Sequence, residues 1–263
     1  MGRRRVSQGL NARALPRFFI APEALLTGEL PHEIAHQVRR VLRLREGDII
    51  CLLDGIGKAY FARLHGNEAQ FELIGQEQLA TEPPLKMSVL QALVRNEKAE
   101  QVVRLCTAAG ANQILFAPAE RSLVEWGEAK RRARQQRWQV IAREEAELAC
   151  RARYPLVQIL PDWWSAIEQL PPPRLLLDEW ADVRPLREGL LKEQALSIIV
   201  GPEGGFTPRE RQMMTQQYEC LPVSLGARVL RVEIAAFYAL AQLEALLPCW
   251  TESKNDASNE PAH

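Results

Sequence analysis

At 263 residues, 47% of them hydrophobic, the chain has apolar content for the cores of one large or two ordinary domains. Its 33 Lys+Arg balance 33 Asp+Glu, so net charge cannot carry an affinity for nucleic acid and only local patches could. Five scattered cysteines, odd in number and never spaced C-x-x-C, argue against a disulfide framework and a zinc ribbon and favour a reducing compartment, and no apolar run reaches the roughly 18 residues of a membrane span.

Taken in order, residues 1–16 read as a flexible basic arm: Arg3, Arg4, Arg5 and Arg13 stand there without an acid. An organellar transit peptide would share that composition; a cytoplasmic protein with a basic arm is the simpler expectation. Residues 17–82 read as a small β-rich domain, opening on Arg17-Phe18-Phe19-Ile20, with a helix through about 31–44. Strands at Asp48–Leu53, Lys58–Leu64 and Glu68–Ile74 are punctuated by Asp54-Gly55-Ile56-Gly57 and Gly66-Asn67, a spacing that suits a small barrel. Thr81-Glu82-Pro83-Pro84 reads as a stiff linker and the domain boundary.

From 83 to 250 strands and helices alternate, which implies a parallel sheet covered by helices on both faces. The strand candidates are 86–94, 113–117, 156–160, 174–178, 196–200 and 220–225. The helix candidates are 97–109, 126–150, 163–170, 208–217 and 231–246. The arginine-rich run 127–143 reads as a solvated helix face. Residues 251–263 lack apolar periodicity and read as a disordered tail.

Three stretches invite chemistry. His32-Glu33-Ile34-Ala35-His36 matches the H-E-x-x-H zinc helix, but it opens a short arginine-rich helix in a small β domain, with no marked third ligand. An exposed helix start is the preferred reading, and no metal is expected. Ile198-Ile199-Val200 followed by Gly201-Pro202-Glu203-Gly204-Gly205-Phe206 reads as a buried strand running into a glycine loop. Thr207, Pro208 and Glu210 then form a capping box at a helix start, the place where α/β proteins hold ligands. The loop lacks a Walker lysine and G-x-G-x-x-G spacing, and Glu203 would repel phosphate, so a neutral or cationic ligand fits better. The third stretch, Leu225 to Ala236, also follows a strand and opens a helix, with Arg228, Arg231 and Glu233 around an apolar loop. By itself each loop could be a plain turn, or a surface ion pair.

At these two loops the sequence resembles the RsmE family of 16S rRNA (uracil-N3) methyltransferases in the SPOUT superfamily. Val200–Phe206 is similar to the family's I-G-P-E-G-G-F and Leu225–Ala235 to its L-G-x-R-I-L-R-x-E-T-A. Arg17-Phe18-Phe19, Val41-Leu42-Arg43, Gly47-Asp48 and Asp54-Gly55 resemble its PUA-like N-terminal RNA-binding domain; Arg121-Ser122 resembles a pair after the second catalytic-domain strand. The resemblance implies a SPOUT-type parallel sheet with a deep trefoil knot, a homodimer, and S-adenosylmethionine as methyl donor. It implies a cofactor site made by Leu177, Val200, Gly201, Pro202, Glu203, Gly204, Gly205, Leu225, Gly226, Val229 and Leu230. Arg228 would stabilise the uracil anion or orient base or phosphate, with Arg231 beside it, and Glu233 would orient one of these arginines. Arg17, Arg39, Arg40, Arg43 and Arg121 would contact RNA, and the substrate would be 16S rRNA, within the 30S subunit.

The chain departs from the family pattern at Leu105 and Ala108, where K-A-T-E-L-G-V has lysine and glutamate. It departs also at Leu148, where E-Q-x-x-R has glutamine, and at Ile234, where E-T-A has threonine. Those losses leave two alternatives: methylation of a different RNA position, and a non-catalytic RNA-binding or ribosome-assembly protein.

Overall fold

The structure, a computed structural model, describes residues 10–66, 69–179, 184–186 and 194–247. Residues 1–9 of the expected arm, the expected turn residue Asn67, Cys249 and the expected tail at 251–263 lie outside the described residues.

The N-terminal part is built on strands β1 (Arg17–Phe19), β2 (Ile49–Leu53), β3 (Lys58–His65) and β4 (Gln70–Gln78) in the order β1-β2-β3-β4. The turn between β2 and β3 is fixed by Asp54, whose Oδ1 accepts from the backbone N–H of Ile56, Gly57 and Lys58 at 2.8, 2.9 and 2.9 Å. Beyond β4, Glu29 bridges Gln70, but the described ladder does not run on from there to β1. The chain between these edges forms helix α1 (Pro22–Thr27) instead of a further strand. Helix α2 (His32–His36) continues through a wide turn at Gln37–Val41 and seats Ile34, Ala35 and Val38 on one face of the sheet.

The second sheet holds β5 (Lys86–Ala92), β6 (Gln113–Ala117), β7 (Leu156–Ile159), β8 (Arg174–Leu177), β9 (Arg184–Pro185), β10 (Ala195–Val200) and β11 (Cys220–Ser224). Every pairing is parallel, in the order β7-β6-β5-β10-β8-β11-β9. Helices α3 (Asn96–Ala108), α4 (Glu128–Leu148) and α7 (Val232–Leu246) cover one face; α5 (Trp163–Glu168) and α6 (Pro208–Gln216) cover the other. The covering helices carry the expected spacing. Ala99, Val102, Val103 and Cys106 of α3 are buried, as are Val232, Ala236, Ala239, Leu240 and Leu243 of α7. The outer strand β7 is guarded by α4: Gln139 and Gln135 accept from the N–H groups of Val157 and Ile159, both at 2.9 Å.

The two sheets are docked through α4. Phe19, Cys51, Leu53 and Phe61 on the second face of the first sheet pack with Ala146 and Cys150 at the end of that helix. Glu147 accepts from Phe19 N–H at 2.7 Å, and Arg143 donates to Phe19 O. Arg151, in the C-terminal continuation of α4, is 3% exposed and grips Glu82 of the expected linker.

Candidate functional site

Parallel strands all end on one rim, and loops leaving that rim converge where neighbouring strands are connected in opposite directions. Strands β8, β10 and β11 are adjacent, so the chain leaving each of them meets over a single cavity of about 390 Å³.

The glycine loop leaves β10. Gln91 of β5 donates to Gly201 O at 3.2 Å and fixes its start, while Phe206 turns back to pack on Trp163 with ring centres 5.3 Å apart. A Cβ on Gly201 would come within 3.1 Å of the Phe206 ring, so any larger residue here must push that ring aside by a few tenths of an ångström. The expected capping box is present: Thr207 Oγ1 accepts from Glu210 N–H at 3.1 Å, and Glu210 accepts from Thr207 N–H at 2.8 Å.

The arginine loop leaves β11 and ends at α7, whose first helical residue follows Arg231. Gly226 holds φ +119°, a backbone state closed to other residues, and a Cβ there would meet nothing within 4 Å. Arg228 is exposed; its guanidinium donates to Tyr238 Oη at 3.2 Å.

The cavity is lined by Leu177, Val200, Gly201, Pro202, Glu203, Gly205, Leu225, Gly226, Arg228, Val229, Leu230 and Arg231, and so unites both loops. Two expected residues are not in the lining. Gly204 instead takes a hydrogen bond on its carbonyl from Arg121, at 3.0 Å. Glu233 is buried, and neither arginine lies within ion-pair distance of it: among the described residues its cation partner is Lys98, 3.9 Å away. Val229, expected in the cofactor site, lines the cavity from its rim and stands 81% exposed.

The sequence reading missed Lys98, Asp178, Glu179 and Arg211, all of which line the cavity. Arg211 lies 3.4 Å from the Asp178 carboxylate, and Lys98 3.1 Å from Glu203. Their signal was positional: Lys98 and Asp178 sit just past the carboxyl ends of β5 and β8. The lining thus combines Leu177, Val200, Leu225 and Leu230 for an aromatic base with the exposed Glu179 carboxylate for a positive group, while Asp178 and Glu203 are already paired with Arg211 and Lys98. That set fits S-adenosylmethionine, a nucleoside carrying a sulfonium and an ammonium.

The expected RNA contacts divide. Arg39, Arg40, Arg43 and Arg45 converge with Leu44 around a second cavity of about 330 Å³. Arg17 is placed elsewhere. Its guanidinium donates to the carbonyls of Glu147 (2.6 Å) and Leu148 (3.2 Å) at the end of α4, and to those of Ala12, Arg13 and Leu15. It is a clamp between the two sheets, because a cation there satisfies carbonyls that the helix end leaves open. His32 and His36 lie exposed on the outer side of α2, and among the described residues no three His, Cys, Asp or Glu gather as a metal site. Among the same residues no helix is long and apolar enough to cross a membrane.

Fold and site define an RNA methyltransferase. Residues 81–244 match the RNA methyltransferase domain family, and residues 33–74 match the RNA methyltransferase PUA domain. The chain is 32% identical to the ribosomal RNA small subunit methyltransferase E of Synechocystis sp. over 244 residues, covering 88% of this chain and 78% of that one. It is 28% identical to the Bacillus subtilis protein of the same name over 235 residues, 85% and 90% of the two chains. Among solved structures it is similar to ribosomal RNA small subunit methyltransferase E from Neisseria gonorrhoeae bound to S-adenosyl methionine. The TM-score there is 0.78 at 28% identity, over 88% of this chain and 98% of that one. The chain belongs to the ribosomal RNA small subunit methyltransferase E family.

Proposed function

We propose that this protein transfers a methyl group from S-adenosylmethionine to N3 of a uridine in 16S rRNA, within the 30S subunit. The observation that carries the reading is the single cavity that both loops line, with Arg228 and Arg231 among its walls.

The cofactor supplies an electrophilic methyl on sulfur. Leu177, Val200, Leu225 and Leu230 would bury its adenine, the backbone of the glycine loop would read the ring edge, and the Glu179 carboxylate would favour its positive end. Because the displacement is in-line, much of the rate comes from holding the two reactants in place. The uracil N3–H is weakly acidic and must give its proton to solvent water, so an anion develops at N3, takes the methyl group and releases the neutral thioether. Arg228, exposed at the rim and tethered through Tyr238, stabilises that anion. N3 lies on the pairing edge, so the uridine enters unpaired or flipped out. Arg39, Arg40 and Arg43 hold the RNA backbone.

In this reading residues 17–82 present RNA to a catalytic unit at 83–250; of the expected arm, residues 10–16 are packed against the first sheet, with Ala12 fully buried and its N–H donating to Glu77 at 3.0 Å. The C-terminal segment is threaded as a trefoil knot, and the enzyme works in the cytoplasm as a homodimer. Exposed Val229 and Ile234, 81% and 39% accessible beside the site, support a covering partner.

The test is labelled S-adenosylmethionine with 30S subunits lacking the modification, followed by nucleoside mass spectrometry. Wild type should yield 3-methyluridine in small-subunit rRNA, and Arg228→Ala should lower kcat by about 10²–10³-fold, as for loss of one anion-stabilising donor. Label at another nucleoside, or S-adenosylmethionine not bound at all, would refute the assignment.

A further inference from the structure

A lysine in the first turn of a helix is badly placed for the helix itself, because that end of the macrodipole is positive. Lys98 occupies such a position in α3, the third helical residue after Arg95 at the cap. What offsets the placement comes from far along the chain. Its Nζ lies 3.1 Å from Glu203 Oε1 in the glycine loop and 3.9 Å from Glu233 Oε2 at the start of α7. Lys98 also lines the cavity.

Neither carboxylate has another cation within ion-pair distance in the described structure, and Glu233 Oε2 is buried without a hydrogen-bond donor. Take away the lysine and two negative charges remain between the two loops. A cationic cofactor would tolerate that. An RNA would not, since it brings phosphates and, at the reacting base, a developing N3 anion.

We propose that Lys98 is a positioning residue for methyl transfer, which acts by neutralising Glu203 and Glu233 so that the anionic RNA can approach the cavity. The inference rests on the function proposed above and adds a residue that none of the matched motifs marks. A simple brace between the loops would act differently: its loss would let the loops drift and would weaken the cofactor site along with catalysis.

The experiment compares wild type with Lys98→Met, Lys98→Arg and Lys98→Met combined with Glu203→Gln. It measures S-adenosylmethionine affinity by calorimetry, RNA affinity without cofactor, kcat and KM for RNA, and melting temperature. Lys98→Met should melt close to wild type, since the lysine is partly exposed. It should bind S-adenosylmethionine within about threefold of wild type while kcat/KM for RNA falls about tenfold or more. Lys98→Arg should recover most of that loss. Glu203→Gln in the Lys98→Met background should recover part of it, in turnover and in RNA affinity alike. A parallel loss of cofactor affinity, no recovery on removing the Glu203 charge, or an unchanged kcat/KM overturns the proposal. A wild type that transfers no methyl would sink the proposed function instead, and the RNA-affinity comparison, which needs no turnover, would still decide the role of Lys98.

Discussion

Arg151→Met is expected to loosen the catalytic unit without touching its chemistry. The guanidinium is 3% exposed and donates from Nη1 to Thr107 O at 2.9 Å and Ala111 O at 2.7 Å. Nη2 reaches Gly110 O at 3.5 Å, and both Nε and Nη2 meet the Glu82 carboxylate. Methionine refills most of the aliphatic volume, so the cost comes from polar groups left without a donor. Removing one partner of a buried ion pair costs about 3–5 kcal/mol. Here Glu82 retains 20% side-chain exposure and the N–H of Ala152 at 2.9 Å, which places the cost at the lower end, about 3 kcal/mol. For a chain of this size each kcal/mol moves the midpoint by about 2–4 °C, so calorimetry should show a fall of roughly 6–12 °C. Arg151 sits where chain enters the sheet before β7, the rim opposite the cavity, so kcat measured well below the midpoint should be unchanged. A midpoint within about 2 °C of wild type would refute the buried-anchor argument. Lost activity at an unchanged midpoint would show that this arginine serves the RNA.

Three further outcomes are expected. Burial raises the Glu147 carboxyl above its ordinary 4.5, against the opposing Phe19 N–H and Arg143. Folding therefore favours its protonated form, and stability declines as pH rises from about that ordinary value through the raised one; the melting-point advantage of Glu147→Gln should widen across that window and then level off, and a gap constant from pH 4 to 8 would count against the reasoning. Replacing Arg39, Arg40 and Arg43 together by Ala should weaken RNA binding and flatten the dependence of log K on log salt by about 2–3, whereas Arg17→Ala should leave that slope alone and lower the melting point; equal slopes for the two variants would contradict the division of roles. Burial pushes the thiols of Cys51 and Cys106 up to about 12, so peptide mapping after iodoacetamide treatment at pH 8 should find both unmodified in the native protein, and rapid labelling of either would contradict their placement.

Three of the four departures from the family pattern are surface features, and the fourth, Leu105, is half-buried in α3. Leu148 is 69% and Ile234 39% exposed, and Ala108 is exposed at the end of α3. None of these substitutions rebuilds the cavity, whose lining contains none of the four positions.

What the sequence by itself determined is what neighbouring residues settle between themselves. The run Ile198–Val200, the glycines after it and the Thr207–Glu210 box specify a strand, a bare loop and a capped helix through contacts only a few residues apart, and all three stand as read. Six strands of the parallel sheet and its covering helices were legible for the same reason, since burial on a fixed side repeats with the period of the element, whereas β9, only two residues long, was too short to show a pattern. Helix α1 escaped because it buries no side chain and therefore shows no such period. Charged groups were decided only by tertiary structure. Arg17 reads as an RNA contact until the carbonyls at the end of α4, 130 residues on, claim its guanidinium. Lys98 reads as an ordinary helix residue until Glu203, 105 residues on, is folded against it. A charge acts through space on whatever the fold brings near, and that neighbour is written nowhere in the local sequence.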